Sequence, residues 1–385
     1  MAGMSYIIHA ATTQTARAIS MGAKPAVPAS ILKYHCTEMA RTIINDGMDI
    51  QGGKAVMKGP KNMLSAAYES VPVAITVEGA NIMTRSLMIF GQGAIRCHPY
   101  VLKEMQLARQ EGHDVLAEFD EMLFEHAGKT IQNGAHALID ALTFSFFNCP
   151  DVRSSTRKYF QYATRMSALF AVIADAAMLT LQASLKTREM LSARLGDMLS
   201  YLFLISMVLK QYEDQGTPRE LRPVIDWSCE YLFYQYQRAV LEFLDNLPNR
   251  FIAWKLRLIA FPLGASFSPP ADKLEKKVAK LVTNKSIARD YLIEGVNLAP
   301  GEKNHIGNLN ALLEQSEDME ILLKKLKLAV REGRLPDLMG MELINHASEQ
   351  GILSEQESDV LREYDKQIME IINVDDFGFE DFSRT

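Results

Sequence analysis

The chain has 385 residues, 48% of them hydrophobic, which is enough apolar material for one large core or two ordinary ones and argues against disorder. A formal net charge of −6 and a pI near 5.8 leave no basic footprint for tracking a phosphate backbone, so nucleic acid is not expected as a partner. The four cysteines, Cys36, Cys97, Cys149 and Cys229, are scattered without a CxxC pair; this fits a reducing cytoplasm and neither a disulfide framework nor a structural metal.

The opening MAGMSYIIHAATTQ lacks the basic region and apolar core of a secretory signal and reads as helix from its first residues. Apolar residues then recur at spacings of three and four, while period-two alternation is scarce. The expected class is all-α. Helices are expected at about 2–21, 27–48, 79–96, 113–147, 155–189, 191–213, 218–245 and 249–260. Gly22 with Pro25 and Pro28, then Pro150, then Gly216 with Pro218 set the cuts. The apolar stretch ALFAVIADAAMLTLQASL approaches spanning length, but it carries Asp175 and Gln182 and reads as a buried bundle helix.

Residues 49–72, DIQGGKAVMKGPKNMLSAAYESVP, break the helical pattern with glycines and prolines and read as a connector of the kind that carries sites. Beyond PLGASFSPPAD at 262–272 the composition becomes more charged, with smaller helices and an acidic tail, INVDDFGFEDF. After the connector comes AITVEGANIMTR, residues 74–85, with a single acid, Glu78. Two roles are open to it. At a helix start it would meet unpaired N–H groups and the positive end of the macrodipole. Among Ala74, Ile75, Val77 and Ile82 it would instead lose hydration, which raises a carboxyl toward the pKa of a working base.

No HExxH, GxSxG or GxxxxGK[ST] is present, and the eight histidines show no tight ligand spacing, so no metal is expected. The Gly52-Gly53 pair lets a backbone come close to a helix or a ligand phosphate. The 20 methionines suit irregular apolar space, either core or an adaptable acyl groove.

Two strings, KYHCTEMARTIINDGMDIQGGKAVMKGPKNML and VPVAITVEGANIMTRSLMIFGQGAIRCHPYVL, resemble the C-terminal helical bundle of flavin-dependent acyl-CoA dehydrogenases, closest to the large bacterial fatty-acid-degradation type. From about residue 110 onward, ADAAMLTLQASLKTREMLSARLGDMLSYL and the terminal IINVDDF are similar to the extra helical region of that type. The resemblance implies a partial bundle over 1–109, an extra helical domain over 110–262 and smaller charged helices over 263–385. It implies that Glu78 removes the α-proton of a fatty acyl-CoA while the β-hydrogen leaves to FAD, giving a trans-2-enoyl-CoA in β-oxidation. Glu78 and Gly79 would hold the thioester. Asp49, Gly52 and Gly53 would approach FAD from a neighbouring subunit, Asp49 standing where many members have Gln. The family's preceding helical and β-domains have no counterpart here, so the chain is expected to be the C-terminal part of such an enzyme. It would work with those domains or a homo-oligomer partner and an electron-transfer acceptor. The alternative is a catalytically silent helical interaction module that keeps the scaffold without the flavin pocket.

The segment RFIAWKLRLIAFPLG mixes Phe251, Trp254, Leu256 and Leu258 with Arg250, Lys255 and Arg257. That composition suits core packing with solvated basic ends, or a helix lying on a bilayer, which would make the protein peripheral to the inner membrane.

Overall fold

The computed structural model describes residues 1–110, 112–152, 155–301 and 304–379, and every element among them is helical. The chain forms two units that interleave in sequence: residues 1–42 with 71–279, and residues 43–70 with 280–385.

In chain order the first ten helices are α1 Ala2–Ser20, α2 Ala26–Gln51, α3 Ser65–Thr76, α4 Asn81–Arg96, α5 Val101–Leu107, α6 His113–Leu142, α7 Arg157–Leu181, α8 Glu189–Asp214, α9 Arg222–Asn246 and α10 Arg250–Ala260. Helix α4 is interrupted by a π-helical turn at Thr84–Met88. Two differences from the periodicity stand out. The connector contains the helix α3, which tolerates Pro72 in its interior, and α5 begins two residues after Pro99. A proline loses one i→i−4 bond but does not stop a short helix whose other bonds form, which is why the breaker reading of Pro72 fails.

The core of the first unit is the α8–α9 pair with α1 laid across both. Leu195, Leu204, Ile205 and Val208 of α8 and Ile225, Phe233, Val240 and Phe243 of α9 are all fully buried. Gly3 lets α1 come this close, because a Cβ there would overlap the Trp227 ring. Helices α7 and α8 are both long and apolar enough to cross a membrane by length and composition. The linker beyond α10 is pinned down: the Gln237 amide accepts from the N–H groups of Ser266 and Phe267 and donates to the Phe267 carbonyl, and Phe267 stacks on Phe233.

Helix α11 Asp272–Thr283 begins in the first unit, which ends at residue 279, and in the second unit α12 Ile287–Leu292 leads to α13 His305–Arg331, α14 Gly340–Glu349 and α15 Glu355–Ile372. Leu326, Ala329, Ile344, Ala347, Leu353 and Leu361 from the last three helices and their connections make its core. Helix α15 starts with a full capping box, Ser354 and Glu357 each bonding the other's backbone N–H. The acidic tail beyond Phe379 lies outside the described residues.

Candidate functional site

Glu78 does not open a helix. It lies in a bend between α3 and α4, and the helix begins three residues later at Asn81, with Ala80 in the N-cap position. Its φ of 53° is left-handed, and Gly79 follows at 95°. A non-glycine residue held there stores backbone strain of about 1–3 kcal/mol, so the surrounding structure must fix the turn. Gly79 answers the need for a second left-handed residue without a Cβ penalty.

The expected desolvation is not supplied by the neighbours. Glu78 is exposed, with no partner for its carboxylate among the described residues, and Val77 and Ile82 are themselves 48% and 76% exposed. Two of the side chains expected to bury the acid are themselves turned to solvent, while α4 buries Thr84, Ser86 and Ile89.

What fixes the turn is polar. Asn81, 5% exposed, accepts from the Lys33 ammonium at 2.6 Å and donates to Thr37 Oγ1 at 2.9 Å and Glu38 Oε1 at 2.8 Å. The Thr84 hydroxyl donates to the Gly79 carbonyl at 3.3 Å. One turn on, the π-helical segment aims Arg85 at Asp197 of α8, and Gly196 admits it: a Cβ there would stand 3.1 Å from the Arg85 carbonyl. His35 is buried beside this pair; burial first, then the Arg85 charge, pull its pKa down to about 3, so it is neutral. Burial and the nearby Asp197 push Tyr34 up to about 12.

In the second unit, Gly52 has a φ of 60° and begins a 3-10 turn, Gly52–Val56, right at the end of α2. Asp49, Gly52 and Gly53 are all exposed, and a Cβ on either glycine would meet nothing within 4 Å. Asn62 braces this turn by donating to the carbonyls of Ala55 and Met57 and accepting from Leu64 and Ser65 N–H groups. Asp375 Oδ2 accepts from the Lys61 N–H at 2.8 Å, and the Lys54 amine donates to the Ile371 carbonyl.

A third cluster was not legible from spacing. His98, His126 and Asp175 bring ligand-type atoms within 4.8 Å of one another. Their hydrogen bonds decide their chemistry. His98 Nδ1 accepts from the N–H groups of Tyr100 and Val101, so its proton sits on Nε2 and is donated to Asp175 Oδ1 at 2.9 Å. That nitrogen has no lone pair left for an ion. His126 lies between two carboxylates, Glu104 at 2.7 Å and Asp175 at 3.2 Å. Burial lowers its pKa, but the bonds to Glu104 and Asp175 outweigh this and the net shift is upward. Burial would raise Asp175, but hydrogen bonds from His98, from the Thr130 hydroxyl at 2.6 Å and from His126 overcome it and hold the carboxyl below its usual range.

A groove of about 1050 Å3 is lined by Thr15, Ala18, Phe160, Phe203 and Met207, and Glu78 is not among its lining residues.

The family profile described as "Acyl-CoA dehydrogenase, C-terminal, bacterial type" matches residues 95–377, and the profile "Acyl-CoA dehydrogenase, C-terminal domain" matches residues 1–90. The chain belongs to the acyl-CoA dehydrogenase family. A solved acyl-CoA dehydrogenase from Bacillus anthracis, complexed with FAD, shares its fold with a TM-score of 0.51 at 14% identity. The match covers 76% of this chain and 47% of that one, so this acyl-CoA dehydrogenase chain spans about half the length of the relative. The all-helical structure agrees with both profiles, whose matched ranges meet between residues 90 and 95.

Proposed function

We propose that the chain is the catalytic-base-bearing part of an FAD-dependent acyl-CoA dehydrogenase that converts fatty acyl-CoA to trans-2-enoyl-CoA in β-oxidation, with Glu78 as the base. The carrying observation is the turn itself: an unpartnered carboxylate in a strained left-handed conformation, braced by buried hydrogen bonds and flanked along the chain by the exposed Val77 and Ile82. Strain maintained by its surroundings is a property of sites. Closure of the Val77–Ile82 surface by the acyl-CoA and the rest of the enzyme would strip water from Glu78 and raise its basicity.

The Glu78 carboxylate takes the proton from the α-carbon, and the electron pair of that C–H bond becomes the Cα–Cβ π bond as hydride leaves the β-carbon. Bound FAD supplies the acceptor for that hydride. Gly79, lacking a side chain, leaves room for the thioester, whose polarised carbonyl acidifies the α-carbon. The exposed Gly52–Gly53 backbone fits a close approach to FAD of a neighbouring copy, and Asp49 fits a hydroxyl there better than a phosphate, which its charge would repel. Free thiols at all four cysteines suit a cytoplasmic setting. Peripheral contact with the inner membrane belongs to the same proposal, because α10 turns Phe251, Trp254, Lys255 and Leu258 outward while burying only Ala253, Leu256 and Ala260.

The test is flavin bleaching by a long-chain acyl-CoA, using this chain together with the flavin-binding domains of its enzyme. Full-rate bleaching by Glu78→Gln would remove the base assignment; failure to bleach with Glu78 intact would favour the non-catalytic module.

A further inference from the structure

Asn81 is the first residue of α4, yet its side chain does not cap that helix. Ala80, in the cap position, offers no side-chain acceptor. Asn81 reaches across to α2, and its two ends meet opposite charges. The amide oxygen takes the Lys33 ammonium, and the amide nitrogen gives one hydrogen to Glu38 and one to Thr37. Thr37 in turn donates to the backbone carbonyls of Lys33 and Tyr34. The amide dipole therefore lies head to tail between a cation and an anion five residues apart on one helix. No other side chain of this size can do this: Asp would set a carboxylate against Glu38, and Leu would leave two half-buried charges facing a hydrocarbon.

We propose that Asn81 is a positioning residue, whose amide locks the start of α4 to the Lys33–Glu38 face of α2 and so holds the left-handed Glu78–Gly79 turn, three residues away, in its working geometry. The inference rests on the reading of Glu78 as the base. The short sequence separation matters: only Gly79 and Ala80 stand between the anchor and the base, and Gly79 is itself bonded to Thr84. A loosened anchor would let the strained turn relax, and misplacement of a catalytic group by an ångström costs about a hundred-fold in rate.

The decisive variants are Asn81→Asp, Glu38→Gln and the two together. Asn81→Asp turns a donor into an acceptor opposite Glu38, and Glu38→Gln restores a donor to it. In the flavin-loaded enzyme, Asn81→Asp should lower kcat by about ten- to a hundred-fold with flavin content unchanged, and the double variant should recover most of it. On the purified chain, amide exchange over residues 79–83 should speed up in Asn81→Asp and return in the double variant, with α8 unaffected. A fall in thermal midpoint without change in kcat, in its pH profile or in exchange over 79–83 would overturn the proposal. If Glu78→Gln proves fully active, the base reading fails by that result alone. The exchange arm then decides the anchor: rescue supports it, and unchanged exchange in Asn81→Asp overturns it.

Discussion

Arg85 grips Asp197 with both arms of its guanidinium: Nε donates to Oδ1 at 2.9 Å and to Oδ2 at 3.1 Å, and Nη2 donates to Oδ2 at 2.5 Å. Asp197 is 9% exposed and Arg85 37%. Burial leaves the carboxyl above its usual range although Arg85 pulls it down, and the fork geometry is that of an ion pair. Arg85→Met would leave a buried carboxylate unpaired and should cost about 2 kcal/mol, less than the ~3–5 of a fully buried pair because Arg85 is partly solvated. Adding Asp197→Leu should recover most of that loss in urea unfolding. An additive loss in the double variant would show that the pair does not act as a unit.

Strain at Glu78 gives a prediction of opposite sign for stability and activity. Glu78→Gly relieves a left-handed glutamate at φ 53° and should raise stability by about 0.5–1 kcal/mol, the gain reduced by the freedom glycine adds to the unfolded chain. The same change should abolish acyl-CoA-dependent flavin reduction. Equal or lower stability of Glu78→Gly in denaturant titration would mean that the turn carries no strain.

The Glu104–His126–Asp175 group ties α5, α6 and α7 together and should make their packing pH-dependent. The folded state holds the His126 proton more tightly than the unfolded chain, so its contribution is full below the ordinary 6.5 and is lost as pH rises through the folded value. Asp175 has the opposite sense: held below the ordinary 3.8, its contribution is present above that value and lost as pH falls through the folded one. The stability difference between wild type and His126→Gln, measured by urea midpoint, should therefore shrink as the pH is raised from 6.5 into the alkaline range. A constant difference across that range would refute the charged clamp.

The outward face of α10 should bind lipid if the peripheral reading is right. Trp254 is 61% exposed and Phe251 63%, with the Lys255 ammonium 4.3 Å from the Phe251 ring centre. Trp254→Ala with Lys255→Glu should cut flotation with anionic liposomes several-fold while leaving helicity unchanged, since neither side chain is part of the core. Unchanged flotation would end the membrane role.

Periodicity in the sequence carried the helices well. Runs such as 191–213 and 249–260 lie within a residue or two of α8 and α10, because a helix that buries one face writes that face into its spacing. Less was legible where the decisive partner is distant. Pro72 read as a breaker, but it sits inside α3. The large residues of α10 read equally as core or as lipid-facing, and packing against the rest of the unit put the small ones inside. His98, His126 and Asp175 showed no ligand spacing, since they are separated by 28 and 49 residues and meet only when α6 and α7 pack.

The sequence by itself determined the helical class, the family and the chemistry available at residue 78, because these depend on local spacing and on which side chains are present. Tertiary structure decided how that chemistry is held. Glu78 turned out to be an exposed acid in a strained turn instead of a buried one at a helix start. Its support comes from Asn81 reaching Lys33 and Glu38, some forty residues back along the chain. Neither burial nor a hydrogen bond between distant residues is a property of a stretch of sequence; both arise only when helices come together and exclude water between them.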